Sequence, residues 1–150
     1  MESFSIAPAA ARTLWLLPVL LALVLVPVFV LVSLSVAGSR NARFEVSPDG
    51  LRLRGDLYGR TIPAGQIHAS AARRIDLAAE PALAPRSRTM GTGLPGYQSG
   101  WFRLRNGERA LLYLTDRTRA VYVPTTAGYS LLLSPAEPDK FIATLQAVGR

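Results

Sequence analysis

From Thr13 to Ser39 the chain carries no charged residue. The apolar stretch inside that run, residues 14–37, is 24 residues long. A helix needs about 20 to cross a hydrocarbon layer of ~30 Å. In lipid every peptide N–H and C=O must find its partner within the segment, so this run predicts a transmembrane helix. Pro18 and Pro27 would break a soluble helix but are tolerated in a span, and Trp15 near one end suits the membrane interface. A cleaved signal peptide is the main competitor, since Ser35-Val36-Ala37 offers small residues to a peptidase. The run exceeds the ~7–15 apolar residues of a signal core, and Arg12 is the one cationic side chain before it. The expectation is an uncleaved single-pass anchor, with an N-terminal segment at 1–13, a span at 14–37 and one domain at 38–150.

Charge sets an expected orientation. Before the span stand Glu2 and Arg12; after it come Arg40, Arg43, Arg52 and Arg54. The positive-inside rule places the arginine-rich side, and with it the domain, in the cytoplasm. Glu2 and Arg12 cancel, so the domain carries the whole net charge of +7, with Lys140 as its one lysine. A basic domain beside anionic headgroups is drawn to them by ~1 kcal/mol per well-placed cation. There is no cysteine, which fits a reducing or an oxidising compartment alike.

After Gly38 the pattern becomes alternating, the mark of half-buried strands. Phe44-Glu45-Val46 and Leu51-Arg52-Leu53-Arg54 flank Ser47-Pro48-Asp49-Gly50, a turn in which proline presets one dihedral and glycine supplies another. Residues 57–63 follow a weaker turn at Gly55-Asp56. Residues 66–77, with Ile67, Ile75 and Leu77 as buried positions, read as strand. Residues 79–100 show no sustained period and read as a long irregular loop. Regular structure resumes at Trp101: WFRLR and ERALLYL enclose Asn106-Gly107, the strongest short hairpin signal available. RAVYVP and YSLLL complete about seven short strands, the spacing of a sandwich or small barrel.

The tail forms a helix. Pro138 suits its first position, because a proline there loses no needed N–H. Phe141, Ile142, Leu145 and Val148 then share one face, which is expected to cover the open end of the sheet, and Gly149 ends the helix.

Strands followed by one C-terminal amphipathic helix resemble pleckstrin-homology-like domains, and the bacterial PH-domain family in particular. The segments that carry the resemblance are FEVSPDGLRLRGDLYGRTIPAGQI, GWFRLRNGERALLYLTD and YSLLLSPAEPDKFIATL, covering residues 42–147. The resemblance implies a mainly β fold: a PH-like, partly open barrel closed by the helix, here behind a transmembrane segment. It also implies a place in the bacterial inner membrane, where members often sit beside such helices. Eukaryotic PH domains that bind phosphoinositides carry basic residues around the first hairpin turn; here that turn holds Asp49 and no base, so inositol phosphate binding is not carried over.

Gly91-Thr92-Gly93-Leu94-Pro95-Gly96 matches the spacing of a dinucleotide loop, but Pro95 interrupts it and a β pattern follows where a helix must start. No cofactor is expected. His68 is the single histidine, so no metal cluster and no nucleophile–base pair is signalled, and the domain is expected to be non-catalytic. Arg73, Arg74, Arg86 and Arg88 lead into the irregular segment, and Tyr97 and Trp101 leave it. Guanidinium and aromatic groups at one loop suit a protein partner or, alternatively, an anionic lipid headgroup or small anionic ligand. A membrane tether and a compact sheet disfavour nucleic acid.

Overall fold

A computed structural model describes residues 11–149. Residues 1–10, most of the expected N-terminal segment, and Arg150 lie outside it. The chain divides into two compact units between Leu34 and Ser35. Helix α1 (Ala11–Asn41) runs for 31 residues through Pro18 and Pro27. Within it Leu14–Asn41 has mean hydropathy 3.0 and is, among the described residues, the one helix long and apolar enough to cross a membrane. Its last two turns, residues 35–41, belong to the second unit.

That unit is mainly β with a C-terminal helix, as the pattern requires, but its described residues form nine strands rather than about seven. β1 (Arg43–Ser47), β2 (Gly50–Arg54) and β3 (Thr61–Pro63) form an antiparallel sheet in the order β1-β2-β3. The larger sheet contains β4 (Arg73–Ile75), β5 (Pro85–Leu94), β6 (Tyr97–Leu104), β7 (Arg109–Leu114), β8 (Ala120–Pro124) and β9 (Ser130–Leu133). Its order is β4-β8-β9-β7-β6-β5. The two sheets stay separate and do not close into a barrel.

The run Leu131-Leu132-Leu133 explains the layering. β9 lies between β7, to which it is parallel, and β8, and all three leucines are fully buried. Successive side chains point to opposite faces, so a strand apolar at every position must be covered on both. Leu131 and Leu133 join Leu51, Leu53 and Ile62 of the small sheet and Phe141 and Leu145 of the last helix. Leu132 joins Leu112, Phe102 and Leu104 on the other face, under Ile75, Leu77 and Leu83. Helix α2 (Pro138–Val148) starts at the expected proline; Phe141 and Leu145 are buried, Ile142 and Val148 half-buried, and the Gly149 N–H closes it on the Leu145 carbonyl at 3.0 Å.

Three expectations are corrected. Residues 79–100 are not an irregular loop: after a 3-10 turn at Pro81–Leu83 they form β5, which pairs along β6 and turns at Pro95-Gly96. β5 is an edge strand exposed along most of its length, so neither face imposes an apolar alternation. The glycine motif falls in this hairpin, where a β-carbon on Gly91 would collide with the Ser99 carbonyl. Residues 66–77 yield only the short strand β4, preceded by 3-10 turns at Ala64–Gln66 and Ala69–Ala71; buried Ala69 and Ala72 pack in the main cluster with Leu145. Of residues 57–63 only β3 is strand, because residues 55–59 make a turn braced by Asp56, whose carboxylate accepts the Leu57 N–H at 2.5 Å.

Candidate functional site

The Asn106-Gly107 turn fixes the register of β6 against β7 and sets Trp101 opposite Leu111. Side chains two residues off the direct partner are within reach of an aromatic ring, which brings in Arg109. Its guanidinium lies 4.4 Å from the Trp101 ring centroid. Arg60, from the connection between β2 and β3, lies 4.9 Å from the same ring and 5.7 Å from Tyr129. It also donates to the Tyr129 hydroxyl at 3.4 Å. Tyr129 meets Trp101 edge-on, 4.9 Å between centroids. On the other side of Trp101 its strand partner is Met90 of β5, 63% exposed. One half-buried indole thus carries two exposed guanidinium groups and borders an exposed thioether.

Neither arginine is neutralised. The ion pairs among the described residues are Arg54–Glu45, Arg73–Glu80, Arg74–Asp139 and Lys140–Glu137. A guanidinium over an aromatic ring gains about 0.5–1 kcal/mol at an exposed site. Its N–H edges stay available for a carboxylate or phosphate, and the fork geometry allows two parallel bonds.

The sequence-predicted residues do not assemble as one loop. Arg73 and Arg74 lie on β4, at one edge of the six-stranded sheet; Arg86 and Arg88 lie on β5, at the other. Five strand spacings, about 24 Å, separate the edges. Arg73 is engaged by Glu80 through two bonds of 2.5 and 2.6 Å, and its guanidinium lies 5.7 Å from the Tyr122 ring. That bonding raises the Arg73 pKa further above its ordinary value and lowers that of Glu80. Arg74 meets Asp139 at 3.4 Å. Arg86 and Arg88 are exposed, Arg86 at a register shift of the edge strand. Tyr97 is buried and donates its hydroxyl to Asp56, as does Ser99. Trp101 alone of the six belongs to the aromatic–arginine cluster. Arg109 was readable from the Asn106-Gly107 register; Arg60 and Tyr129 are brought in by long-range folding, and no local signal marks them.

A second polar cluster lies on the opposite face. Glu108 accepts from Ser130 at 2.6 Å, from Tyr122 at 2.9 Å and from Asn106 at 3.1 Å. Burial pushes its carboxyl up, but the hydrogen bonds from Ser130, Asn106 and Tyr122 outweigh that and hold it below the ordinary carboxylate value. These bonds tie β9, β8 and the β6–β7 turn together.

The hollow between the start of β2 and α2 holds about 10 Å³, enough for a single water. The larger hollows, about 370 to 770 Å³, are grooves open to solvent. No group of three or more His, Cys, Asp or Glu side chains suited to a metal occurs among the described residues.

A family model described as Bacterial PH domain matches residues 42–148. Comparison with curated proteins and with solved structures gives no match. The matched residues run from the start of β1 to the end of α2 and take in both sheets. The chain belongs to the bacterial PH domain family.

Proposed function

We propose that this chain is a single-pass membrane protein whose PH-like domain is a non-catalytic module binding another protein. The observation that carries the reading is the pair Arg60 and Arg109, stacked on Trp101 without a carboxylate partner. Trp, Tyr, Met and Arg are the residues enriched at the centres of protein interfaces, and here Trp101, Tyr129, Met90 and two arginines adjoin. Arg86 and Arg88 extend the basic surface along the edge strand β5. The partner presents an acidic patch. Helix α1 supplies the anchor, and Arg40 in its last turn with Arg43 just after it favours a cytoplasmic domain.

Capture from detergent-solubilised membranes tests the reading. The wild-type chain should retain a defined acidic protein, and the Arg60→Ala, Arg109→Ala double variant should lose it. Equal recovery by the double variant removes the assigned site; recovery of nothing above background removes the protein-binding role.

A further inference from the structure

β5 ends the six-stranded sheet, and among the described residues its outer side pairs with no strand. On an edge strand alternate residues turn their N–H and C=O away from the sheet, a template on which another chain can pair. The other edges are less open. β3 and β4 have three residues each, and β1, with five, lies beside α2, where Phe44 meets Phe141. β5 has ten. Folded proteins guard such edges with prolines, cations and bulges. Here those devices crowd into one half: Pro85, Arg86, Arg88 and two register shifts all fall before or at Met90. From Met90 to Leu94 the pairing with β6 is unbroken, and the segment holds no charge, proline or bulge. A guard on half an edge leaves the other half open to a strand that the guard accepts.

The two faces of the open half differ. Directly paired residues share a face, so Arg88, opposite Phe102, lies with Gly93, opposite Gln98. Met90, opposite Trp101, lies on the other face. The Arg88 Nη1 is 3.3 Å from where a β-carbon on Gly93 would sit, so this guanidinium folds back along the unguarded half. Neither Arg88 nor Arg86 is in an ion pair among the described residues. On the opposite face the Met90 side chain is exposed beside the Trp101 cluster. A strand laid along β5 turns successive side chains to these two faces alternately. Carboxylates then meet the guanidinium on one face, and apolar side chains cover Met90 on the other. We infer that the protein partner adds an extended segment of alternating acidic and apolar residues to the outer edge of β5. A second copy of this chain lacks that chemistry: the net charge is +7, and β5 itself brings two arginines and no carboxylate. The inference rests on the reading that the domain binds an acidic protein, and specifies how that partner is held.

The test uses the full chain in detergent and a short synthetic peptide alternating glutamate and valine. Bound at about ten times its Kd, the peptide should slow amide hydrogen exchange across residues 90–94 about tenfold. The same peptide with lysine for glutamate should give no protection. Arg88→Glu should weaken binding at least about tenfold, since a hydrogen bond between charged groups is lost. Two further peptides carry N-methyl groups on one or the other set of alternate amides. A paired strand faces β5 with one set only, so one peptide should lose binding and the other keep it. That comparison leaves the protein unaltered, so a misfolded variant cannot imitate it. Equal binding by the two methylated peptides overturns strand addition, and affinity unchanged by Arg88→Glu overturns the charge contact. Protection of 90–94 that grows with protein concentration, without peptide, puts a second copy on the edge and overturns the acidic occupant. If Arg60→Ala, Arg109→Ala loses the captured partner while neither peptide nor partner protects 90–94, strand addition fails and the protein-binding role stands.

Discussion

Tyr97 donates its phenolic hydrogen to the carboxylate of Asp56, tying the first residue of β6 to the turn that follows β2. Tyr97 is 6% exposed, and burial first, then the bond to Asp56, raises its pKa well above the ordinary phenol value. A raised folded-state value means that the stability it contributes is complete below the unfolded phenol pKa, about 10, and declines as pH rises through the folded one. Tyr97→Phe removes one of three donors to the Asp56 carboxylate and should cost about 1–2 kcal/mol near neutrality. Urea unfolding of the full chain in detergent measures it. A variant as stable as wild type shows the bond to be idle.

Glu108 makes the domain acid-sensitive in a predictable direction. Its folded-state pKa is below the ordinary value, so its stabilising effect is present above the unfolded carboxylate range and is lost as pH falls through the folded value. Acidification from about pH 5 downward should lower the wild-type unfolding midpoint. Glu108→Gln, which keeps acceptors for Ser130 and Tyr122, should flatten that dependence while being less stable at neutral pH. Parallel slopes for the two proteins would place the acid sensitivity elsewhere.

Gly100 should not tolerate a side chain. Its φ is +107°, and a β-carbon there would meet the Met90 carbonyl oxygen at 2.5 Å and the Gly91 α-carbon at 2.6 Å. Both obstacles are backbone of the neighbouring strand β5, which cannot swing aside as a long side chain does. Gly100→Ala combines a dihedral cost of about 1–3 kcal/mol with this collision, so β5 should detach from the sheet edge. Limited proteolysis should then cut first near residues 85–94, faster than in wild type, and an unchanged cleavage pattern contradicts the close approach.

Much of this arrangement is legible in the sequence, and the rest fails for identifiable reasons. The long apolar helix, the turns at 48–50 and 106–107, and the helix from Pro138 are local, set by chain composition, turn residues and a 3.6 period. The triple leucine of β9 announces a strand buried on both faces. What the chain does not announce locally is partner choice. β9 inserts between β7 and β8, so consecutive strands joined by residues 115–119 are not neighbours, and the Ser134 hydroxyl accepts the Thr115 and Asp116 N–H groups at 3.1 and 3.2 Å across that junction. β5 has no local signature because an exposed edge carries no alternation. Arg73, Arg74, Arg86 and Arg88 are close in sequence yet divided between opposite sheet edges, while Arg60 and Tyr129, 69 residues apart, meet at Trp101.

Phe141 joins three elements through a chain of edge-on rings. Its centroid is 6.0 Å from that of Phe44 on β1, and Phe44 is 6.0 Å from Tyr113 on β7. Leu145, one turn on, is buried in the same cluster, while Ile142 is half-buried and Thr144 is exposed. Replacing Phe141 with alanine leaves a hole that β1, an edge strand hydrogen-bonded only to β2, and α2 must both shift to fill. Phe→Ala changes in cores cost about 3–5 kcal/mol, and the slight exposure of Phe141, 9%, puts the expectation near 3. Thr144→Ala, one turn away and pointing outward, should cost under about 0.5 kcal/mol. Because the whole effect is assigned to packing, the slope of unfolding free energy against urea should stay constant while the midpoint falls. If Phe141→Ala matches Thr144→Ala, the helix is not the element that holds the two sheets to one core.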